Sequence, residues 1–341
     1  MRAYFLRRLL LVLPTLIGIT LLVFAITRML PGGPIAQMIL ELEMGSDGEG
    51  SGGRTTTGVV VSEDLIRELR AHYHLDQPLL VAYWLWLKDL ATFNLGKSHR
   101  YNVPVTELIV ARLPISSYFG LIGFLLAYGI AVPLGILKAV RHSGVFDGVS
   151  SALIFIGYSI PGWALGLLLL FYFGGHLGWL PLDGFQSEHY HTLDWFGRVC
   201  DRVRHTILPV AAYAMGSFAA LTLLMKNSLL DQLGQEYVRT AFAKGLSERG
   251  AILRHALRNS LIPLATGLGH AVSFLLAGSY LVERIFNIDG IGYLGFKALE
   301  GHDYPVVMGI LVINAALMLV GNILSDLLYV VIDPRIRFTS G

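Results

Sequence analysis

The sequence has little charge and a single cysteine. Asp, Glu, Lys and Arg together make up 15% of the 341 residues, whereas soluble domains contain about 25%. Since hydrophobic residues make up 54% of the chain, a water-soluble fold would have too little charge to cover its apolar surface. Cys200 is the one cysteine, which excludes an intramolecular disulfide and a metal site built from several cysteines. We therefore predict an integral membrane protein.

The sequence also lacks the patterns of a catalytic or cofactor-binding protein. Its net charge of +2 gives no electrostatic reason to expect nucleic acid as a partner. Gly96-Lys97-Ser98 resembles the end of a phosphate-binding loop, but that pattern requires glycine where Ala91 stands. The histidine pairs at 72/74 and 189/191 are not completed to a metal-binding pattern by a carboxylate or a third histidine. No ATPase site, metal site or cofactor site is predicted.

What the chain does contain is a set of long apolar windows without Asp, Glu, Lys or Arg. Each is longer than the roughly 17 residues that a helix needs to cross about 30 Å of hydrocarbon. A transmembrane barrel would instead show short segments of alternating hydrophobicity. We predict an all-α fold with six transmembrane helices, from windows at Leu9–Thr27, Leu113–Leu137, a stretch that begins after Asp147 and continues past Phe173, His205–Met225, Asn259–Val282 and Tyr304–Ser325.

The distribution of basic residues predicts the orientation of these helices. The first window is longer than the core of a signal peptide and has no small-x-small cleavage site after it, so it is predicted to be a retained helix. With the N-terminus inside, most Lys and Arg residues of the short loops fall on the inner side. Both termini are therefore predicted to be cytoplasmic.

The windows divide the chain into three predicted parts. Residues 1–30 hold the N-terminal tail and the first transmembrane helix, residues 31–112 form a large extracytoplasmic loop, and residues 113–341 form a five-helix core. Within the loop, Glu41–Gly58 is acidic and rich in glycine, which is typical of a flexible link. Leu79–Leu90 then predicts an amphipathic helix on the outer face.

The segment 235–260, between the fourth and fifth windows, predicts a helix–turn–helix on the inner side. Gly245 is expected to end the first helix, Ser247 to cap the second, and Glu248 suits the N-terminal end of its dipole. Apolar residues fall on one face of each helix, at 237, 238, 241, 242 and 246, and at 252, 253, 256, 257 and 261. Such a stripe needs a partner protein or the membrane surface to cover it.

This segment resembles a known coupling element. EYVRTAFAKGLSERGAILRHALRNSLIP is similar to the coupling loop of ABC-importer permeases in the oligopeptide, dipeptide and nickel family. Of the EAA-x3-G consensus, Ala241 and Gly245 match, while Phe242 stands where the first permease usually has Arg. The resemblance covers nearly the whole chain, including RAYFLRRLLLVLPTLIGI, VERIF, GIG and NILSDLLYVVIDPRIRF. PGGPIAQMI and the acidic insert most resemble the subgroup that imports peptides and the peptide-nucleotide antibiotic microcin C.

The resemblance implies a multi-pass permease subunit of the bacterial inner membrane that imports peptides by alternating access. It implies a second homologous permease as heterodimer partner, two ATPase subunits that hydrolyse the ATP, and an extracytoplasmic peptide-binding protein. It also implies that the chain is not itself an enzyme. The coupling role falls on Glu236, Tyr237, Arg239, Thr240, Ala241, Ala243, Lys244 and Gly245.

Two alternatives differ in what they require of the sequence. A nickel or metal-chelate importer of the same family predicts His or Met residues that converge in the substrate path, and no such pattern is evident. A membrane-embedded enzyme requires a catalytic constellation, and the apolar windows contain no Ser/His/Asp arrangement or paired carboxylates.

The orientation is testable with reporter fusions. We expect reporters joined after Arg141 and Glu248 to be cytoplasmic and those joined after Gly50 and Glu188 to be extracytoplasmic, because basic residues favour the inner side. Paired alkaline phosphatase and green fluorescent protein fusions measure this directly. A cytoplasmic signal at Gly50 would contradict the six-helix topology.

Overall fold

The computed structural model describes residues 2–29, 77–265, 267 and 278–332. As far as it is described, the chain divides into two compact units. The first contains residues 112–294 and the end of the last helix from residue 316. The second contains residues 10–111 and 295–315.

The described residues form helices joined by turns and loops, with one isolated β-bridge between Lys97 and Pro104. This agrees with the predicted all-α class. In chain order the elements are α1 Arg2–Met29, α2 Leu79–Ala91, α3 Val105–Val140, α4 Val145–Ser159, α5 Gly162–Leu169 with a π segment at Leu170–His176, a 3₁₀ turn at Tyr190–Thr192, α6 Trp195–Leu233, α7 Glu236–Ala243, α8 Glu248–Ala251 continued by a π segment at Ile252–Ala256 and by Leu257–Ser260, α9 Tyr280–Ile285, α10 Ile291–Glu300 and α11 Tyr304–Ile332.

Three of the described helices are long and apolar enough to cross a membrane. These are α3, α6 and the Tyr304–Ser325 part of α11, and they contain the second, fourth and sixth predicted windows. The first window is helical, with a shorter apolar stretch at Leu10–Ile26. The middle of the fifth window, Asn259–Val282, lies outside the described residues, as do the acidic insert and the C-terminal tail. The count of six transmembrane helices therefore stays a prediction.

The third window is not one straight helix. α4 and the helix that follows it meet at an angle of 92°. Pro161 explains the break, because it has no N–H to donate and disfavours helical backbone at the residue before it. Ile160 accordingly adopts φ −96° and ψ 118°, which is extended backbone. The bend divides this window into two shorter helices with different directions.

α6 also differs from the predicted loop boundaries. The fourth apolar window begins at His205, whereas α6 already begins at Trp195. The Asp194 side chain caps this helix by accepting a hydrogen bond from the Gly197 N–H at 2.9 Å. A search for charge-free windows misses these first turns because they carry several charged residues.

Glycine lets helices of the first unit approach α6 closely. A Cβ atom on Gly135 of α3 would lie 2.6 Å from Met225 Cβ and 2.8 Å from the Thr222 carbonyl oxygen. A Cβ atom on Gly162 of α5 would lie 2.6 Å from the Ala212 carbonyl oxygen. Since ordinary Cβ contacts are longer than 3 Å, α3 and α5 can pack this closely on α6 only with glycine at these positions.

A buried carboxyl group joins four parts of the first unit. The Glu283 side chain in α9 is fully buried. Its oxygens accept hydrogen bonds from Ser116 Oγ of α3 at 2.9 Å, Tyr213 OH of α6 at 3.3 Å and the Tyr293 N–H of α10 at 2.7 Å. Gly290 packs against the same carboxyl group, with its Cβ position 2.5 Å from the carboxyl carbon. Side-chain hydrogen bonds thus replace water around this buried polar group.

In the second unit, hydrogen bonds join α2 to α1 and the turn near Ser98 to the start of α11. Tyr83 of α2 shares a hydrogen bond of 2.9 Å with Thr20 Oγ1 of α1. The helix α2 itself, Leu79–Ala91, confirms the helix predicted at Leu79–Leu90. Near the start of α11, the buried Asp303 accepts hydrogen bonds from Ser98 Oγ and, at 3.3 Å, from the His99 N–H. The Gly96–Ser98 turn is therefore a structural anchor, and its serine is buried instead of solvated.

The close contact of α3 with α6 gives a stability prediction. Gly135→Ala should lower the free energy of unfolding by about 1–3 kcal/mol, because the added methyl group overpacks the contact with Met225. Thermal unfolding of the detergent-solubilised protein measures the change.

Gly129→Ala is the matched control, because Gly129 lies in the same helix with no heavy atom within 4 Å of its Cβ position. Alanine favours helix over glycine by up to about 1 kcal/mol, so the control should keep or gain stability. Equal effects of the two substitutions would contradict the close contact.

Candidate functional site

The segment 235–260 forms the predicted helix–turn–helix. α7 ends in a Schellman turn, in which the Gly245 N–H donates to the Phe242 carbonyl at 2.9 Å and the Leu246 N–H donates to the Ala241 carbonyl at 3.3 Å. Gly245 has a φ of +83°, a conformation that residues with a Cβ atom adopt only at a cost. The structure thus confirms that Gly245 ends the first helix.

The second helix begins where the sequence predicted. Ser247 caps α8, and its hydroxyl accepts a hydrogen bond from the Gly250 N–H at 3.3 Å. The helix then widens into the π segment Ile252–Ala256 before it returns to α-helical geometry at Leu257. The end of α8 is held to α6, because Ser228 Oγ donates to the Ser260 carbonyl at 2.9 Å.

Part of the apolar stripe is covered by the chain itself. Val238 of α7 and Ile252 and Ala256 of α8 pack in one hydrophobic cluster, which we call the inner cluster. Its other buried members are Ala139, Met225, Leu229 and Leu264. Ala241 is 5% exposed, so it does not present a free surface. The coupling role that the resemblance implies for Ala241 stays a prediction.

The outward side of the helix–turn–helix is mixed. Tyr237 is 38% exposed, Phe242 is 42% exposed and Leu253 is 58% exposed. The other exposed residues of the predicted coupling set are Glu236, Arg239, Thr240, Ala243, Lys244 and Gly245. These exposed apolar and charged side chains form a surface that is suited to a protein partner.

Hydrogen bonds fix the orientation of α7. Tyr237 OH donates to Gln232 Oε1 of α6 at 2.7 Å and accepts from Asn259 Nδ2 of α8 at 3.1 Å. Glu236 and Arg239 form an exposed ion pair of 3.0 Å within α7. Because one tyrosine ties α7 to both neighbouring helices, the segment is packed as a defined structure and is not a loose loop.

A polar cluster lies at the ends of three helices and was not found from the sequence. In the sequence, three apolar windows are bounded by its members, Lys138, Asp147 and Lys226. In the structure Lys226 Nζ lies 2.8 and 2.7 Å from the two carboxylate oxygens of Asp147, and Lys138 Nζ lies 3.0 Å from one of them. We call these three residues the ionic joint. No local pattern signals it, because Lys226 lies 79 residues after Asp147 in the sequence.

The histidines singled out from the sequence do not gather into a site. His189 and His191 are exposed, and no group of three or more His, Cys, Asp or Glu suited to a metal ion occurs within the part of the chain that the structure describes. The pair at 72/74 lies outside the described residues.

Long apolar helices and a packed helix–turn–helix with an outward polar and aromatic surface define a membrane-embedded subunit that works with other proteins. The chain belongs to the family described as binding-protein-dependent transport system inner membrane component, whose model matches residues 131–338, more than half of the sequence. It is therefore an inner-membrane component of a transporter that works with a binding protein.

Characterised relatives match the chain from end to end. The peptidoglycan transport system permease protein YejB of Agrobacterium fabrum is 37% identical over 99% of both chains. The inner membrane ABC transporter permease protein YejB of Escherichia coli O157:H7 is 38% identical over 99% of both chains. The oligopeptide transport system permease protein AppB of Bacillus subtilis is 36% identical, over 99% of this chain and 100% of its own length.

The turn at Gly245 gives a local prediction. Gly245→Val should speed hydrogen exchange at the Leu246 amide by about tenfold, because a β-branched residue in the left-handed conformation costs about 1–2 kcal/mol. Gly245→Asn should exchange nearly as slowly as the wild type, since asparagine tolerates this conformation. No heavy atom lies within 4 Å of the Gly245 Cβ position, so a similar effect of both substitutions would contradict the assignment to backbone strain.

Proposed function

We propose that the chain is a permease subunit of an ATP-driven importer of peptides. The observation that carries this proposal is the end-to-end similarity to permeases named for oligopeptide, dipeptide and peptidoglycan transport. The substrate class includes short peptides and peptide-like molecules of similar chemistry, such as microcin C.

The proposed assembly follows the family. Six helices cross the inner membrane with both termini in the cytosol, and the residues 31–112 face outwards, where a peptide-binding protein delivers the substrate. Residues 113–341 form the permease core. A second homologous permease completes the path, and two ATPase subunits bind the cytosolic side. Membrane lipid surrounds the remaining apolar surface.

The residues 235–260 are proposed to contact an ATPase subunit. The exposed side chains Tyr237 and Phe242 offer apolar contact area, and Glu236, Arg239 and Lys244 surround them with charge. An apolar centre with a polar rim is typical of protein interfaces. Thr240, Ala243 and Gly245 complete this surface, while Ala241 supports it from the buried side.

The inner cluster explains how movement of the ATPase subunits would reach the membrane. Val238 and Ile252 of the helix–turn–helix pack with Met225 and Leu229 of α6 and with Ala139 of α3. Interiors packed this closely transmit displacement with little compression. A shift of α7 and α8 would therefore move the ends of α3 and α6 and open the substrate path alternately to the two sides.

Uptake into proteoliposomes that contain the complete transporter tests the function. We expect ATP-dependent uptake of radiolabelled tri-alanine in the presence of the binding protein. Uptake of radiolabelled nickel without uptake of peptide would instead support the metal-importer alternative. The absence of both would contradict the proposed substrate classes.

Phe242→Asp tests the coupling surface. We expect normal insertion, at least about tenfold weaker retention of the ATPase subunits, and loss of uptake, since a charge in the apolar centre of an interface typically costs more than 1–2 kcal/mol. Co-purification from membranes measures retention.

Phe196→Asp is the matched control, because Phe196 is 67% exposed in the first turn of α6, far along the chain from the coupling surface. It should retain the ATPase subunits like the wild type. Equal retention by both variants would show that Phe242 is not part of the contact.

A further inference from the structure

The ionic joint follows from helix packing. Gly135 and Met225 are in close contact, and Lys138 lies one turn after Gly135 while Lys226 directly follows Met225. The contact therefore brings two lysines to the same place. Their side chains are 0% and 12% exposed. Two ammonium groups this poorly hydrated require an anion between them.

α4 supplies that anion, the Asp147 carboxylate. Its residues that are not exposed include Asp147, Ser150, Ser151 and Ile154, which share one face. The side chains on the opposite face are exposed, such as Leu153 at 65%. The first half of α4 is thus attached through its polar residues.

Lys138 holds this face with several directional contacts. Its Nζ donates to Ser150 Oγ and Ser151 Oγ, both at 2.8 Å, and to the Asp147 carbonyl oxygen at 3.0 Å. His142 Nδ1 adds a contact of 3.3 Å to the Asp147 carboxylate. Hydrogen bonds tolerate only small changes of distance and angle, so they fix the position of α4 more tightly than apolar contacts would.

The joint lies next to the inner cluster. Ala139 follows Lys138 and Met225 precedes Lys226, and both belong to the cluster that also contains Val238 and Ile252 of the helix–turn–helix. The same short segments of α3 and α6 therefore contact the proposed coupling element through their apolar residues and α4 through their lysines.

We propose that Lys138, Asp147 and Lys226 are positioning residues that make α4 follow the movement of the helix–turn–helix. The inference rests on the proposed function of the segment 235–260. The apolar inner cluster transmits the displacement to α3 and α6, and the ionic joint carries it on to α4, which continues through the bend at Pro161 into α5.

Distances between spin labels in the assembled transporter test this proposal. The native Cys200 is exposed and provides a reference label near the start of α6. A second label is introduced at Leu253, 58% exposed in α8, or at Val145, 84% exposed in α4. The partner subunits are cysteine-free variants. Electron paramagnetic resonance then measures the distance between the two labels in the nucleotide-free complex and in the complex trapped by ATP and vanadate.

In the wild type, both label pairs should change distance on trapping. In Asp147→Asn, the Cys200–Leu253 distance should still change while the Cys200–Val145 distance should not. ATP hydrolysis should continue, and peptide uptake per ATP hydrolysed should fall at least tenfold. Asp147→Glu keeps the carboxylate and should restore part of the change in the Cys200–Val145 distance and part of the uptake. Such a rescue would not be expected if Asp147→Asn acted only by unfolding the protein.

Thr222→Val is the matched control. Thr222 is fully buried in α6 one turn before Lys226, and its hydroxyl donates a hydrogen bond to the Phe218 carbonyl of its own helix at 2.8 Å. This variant should behave like the wild type in distances and uptake. If it loses the Val145 response as Asp147→Asn does, the effect is general to α6 and the proposal is wrong.

A second variant covers the case in which Asp147→Asn does not assemble. The triple change Lys138→Met, Asp147→Leu and Lys226→Met removes all three buried charges, and such replacements are often well tolerated. We expect this variant to assemble. On trapping, its Cys200–Leu253 distance should change while its Cys200–Val145 distance should not. A Val145 response of wild-type size would overturn the proposal. These distances do not depend on the substrate, so they remain decisive even if tri-alanine is not imported.

Discussion

The close contact between α3 and α6 at Gly135 is the constraint on which the inner part of the first unit depends. Without a side chain at this position, Met225 and the backbone of Thr222 approach α3 directly. The approach brings Lys138 and Lys226 together and makes a buried anion necessary, which Asp147 supplies. It also places Ala139 in the apolar cluster that covers part of α7 and α8. Helix packing and buried charge are therefore linked.

The helix–turn–helix has a buried side and an exposed side. Val238, Ala241 and Ile252 are buried, and Val238 and Ile252 pack in one cluster with residues of α3 and α6. Tyr237 belongs to both sides, because its hydroxyl forms hydrogen bonds with residues of α6 and α8 while its side chain is 38% exposed. The packed residues beneath the exposed side leave little room for local deformation. A displacement of the exposed side by a partner would therefore also displace α3 and α6.

Polar groups of the first unit are accommodated in two ways. Glu283 is surrounded by donors from Ser116, Tyr213 and the backbone of Tyr293, whereas Asp147 is paired with cations. Both satisfy the requirement that a buried polar group has partners.

The sequence by itself determined the features that depend on local composition and spacing. Apolar windows predicted α3, α6 and α11, and Gly245 with Ser247 predicted the turn between α7 and α8, because the left-handed conformation and helix capping depend on neighbouring residues. Only the tertiary structure decided that Ala241 is buried and that Lys138, Asp147 and Lys226 meet. Helical periodicity shows which residues share a face but not what covers that face, which depends on contacts between segments distant in sequence.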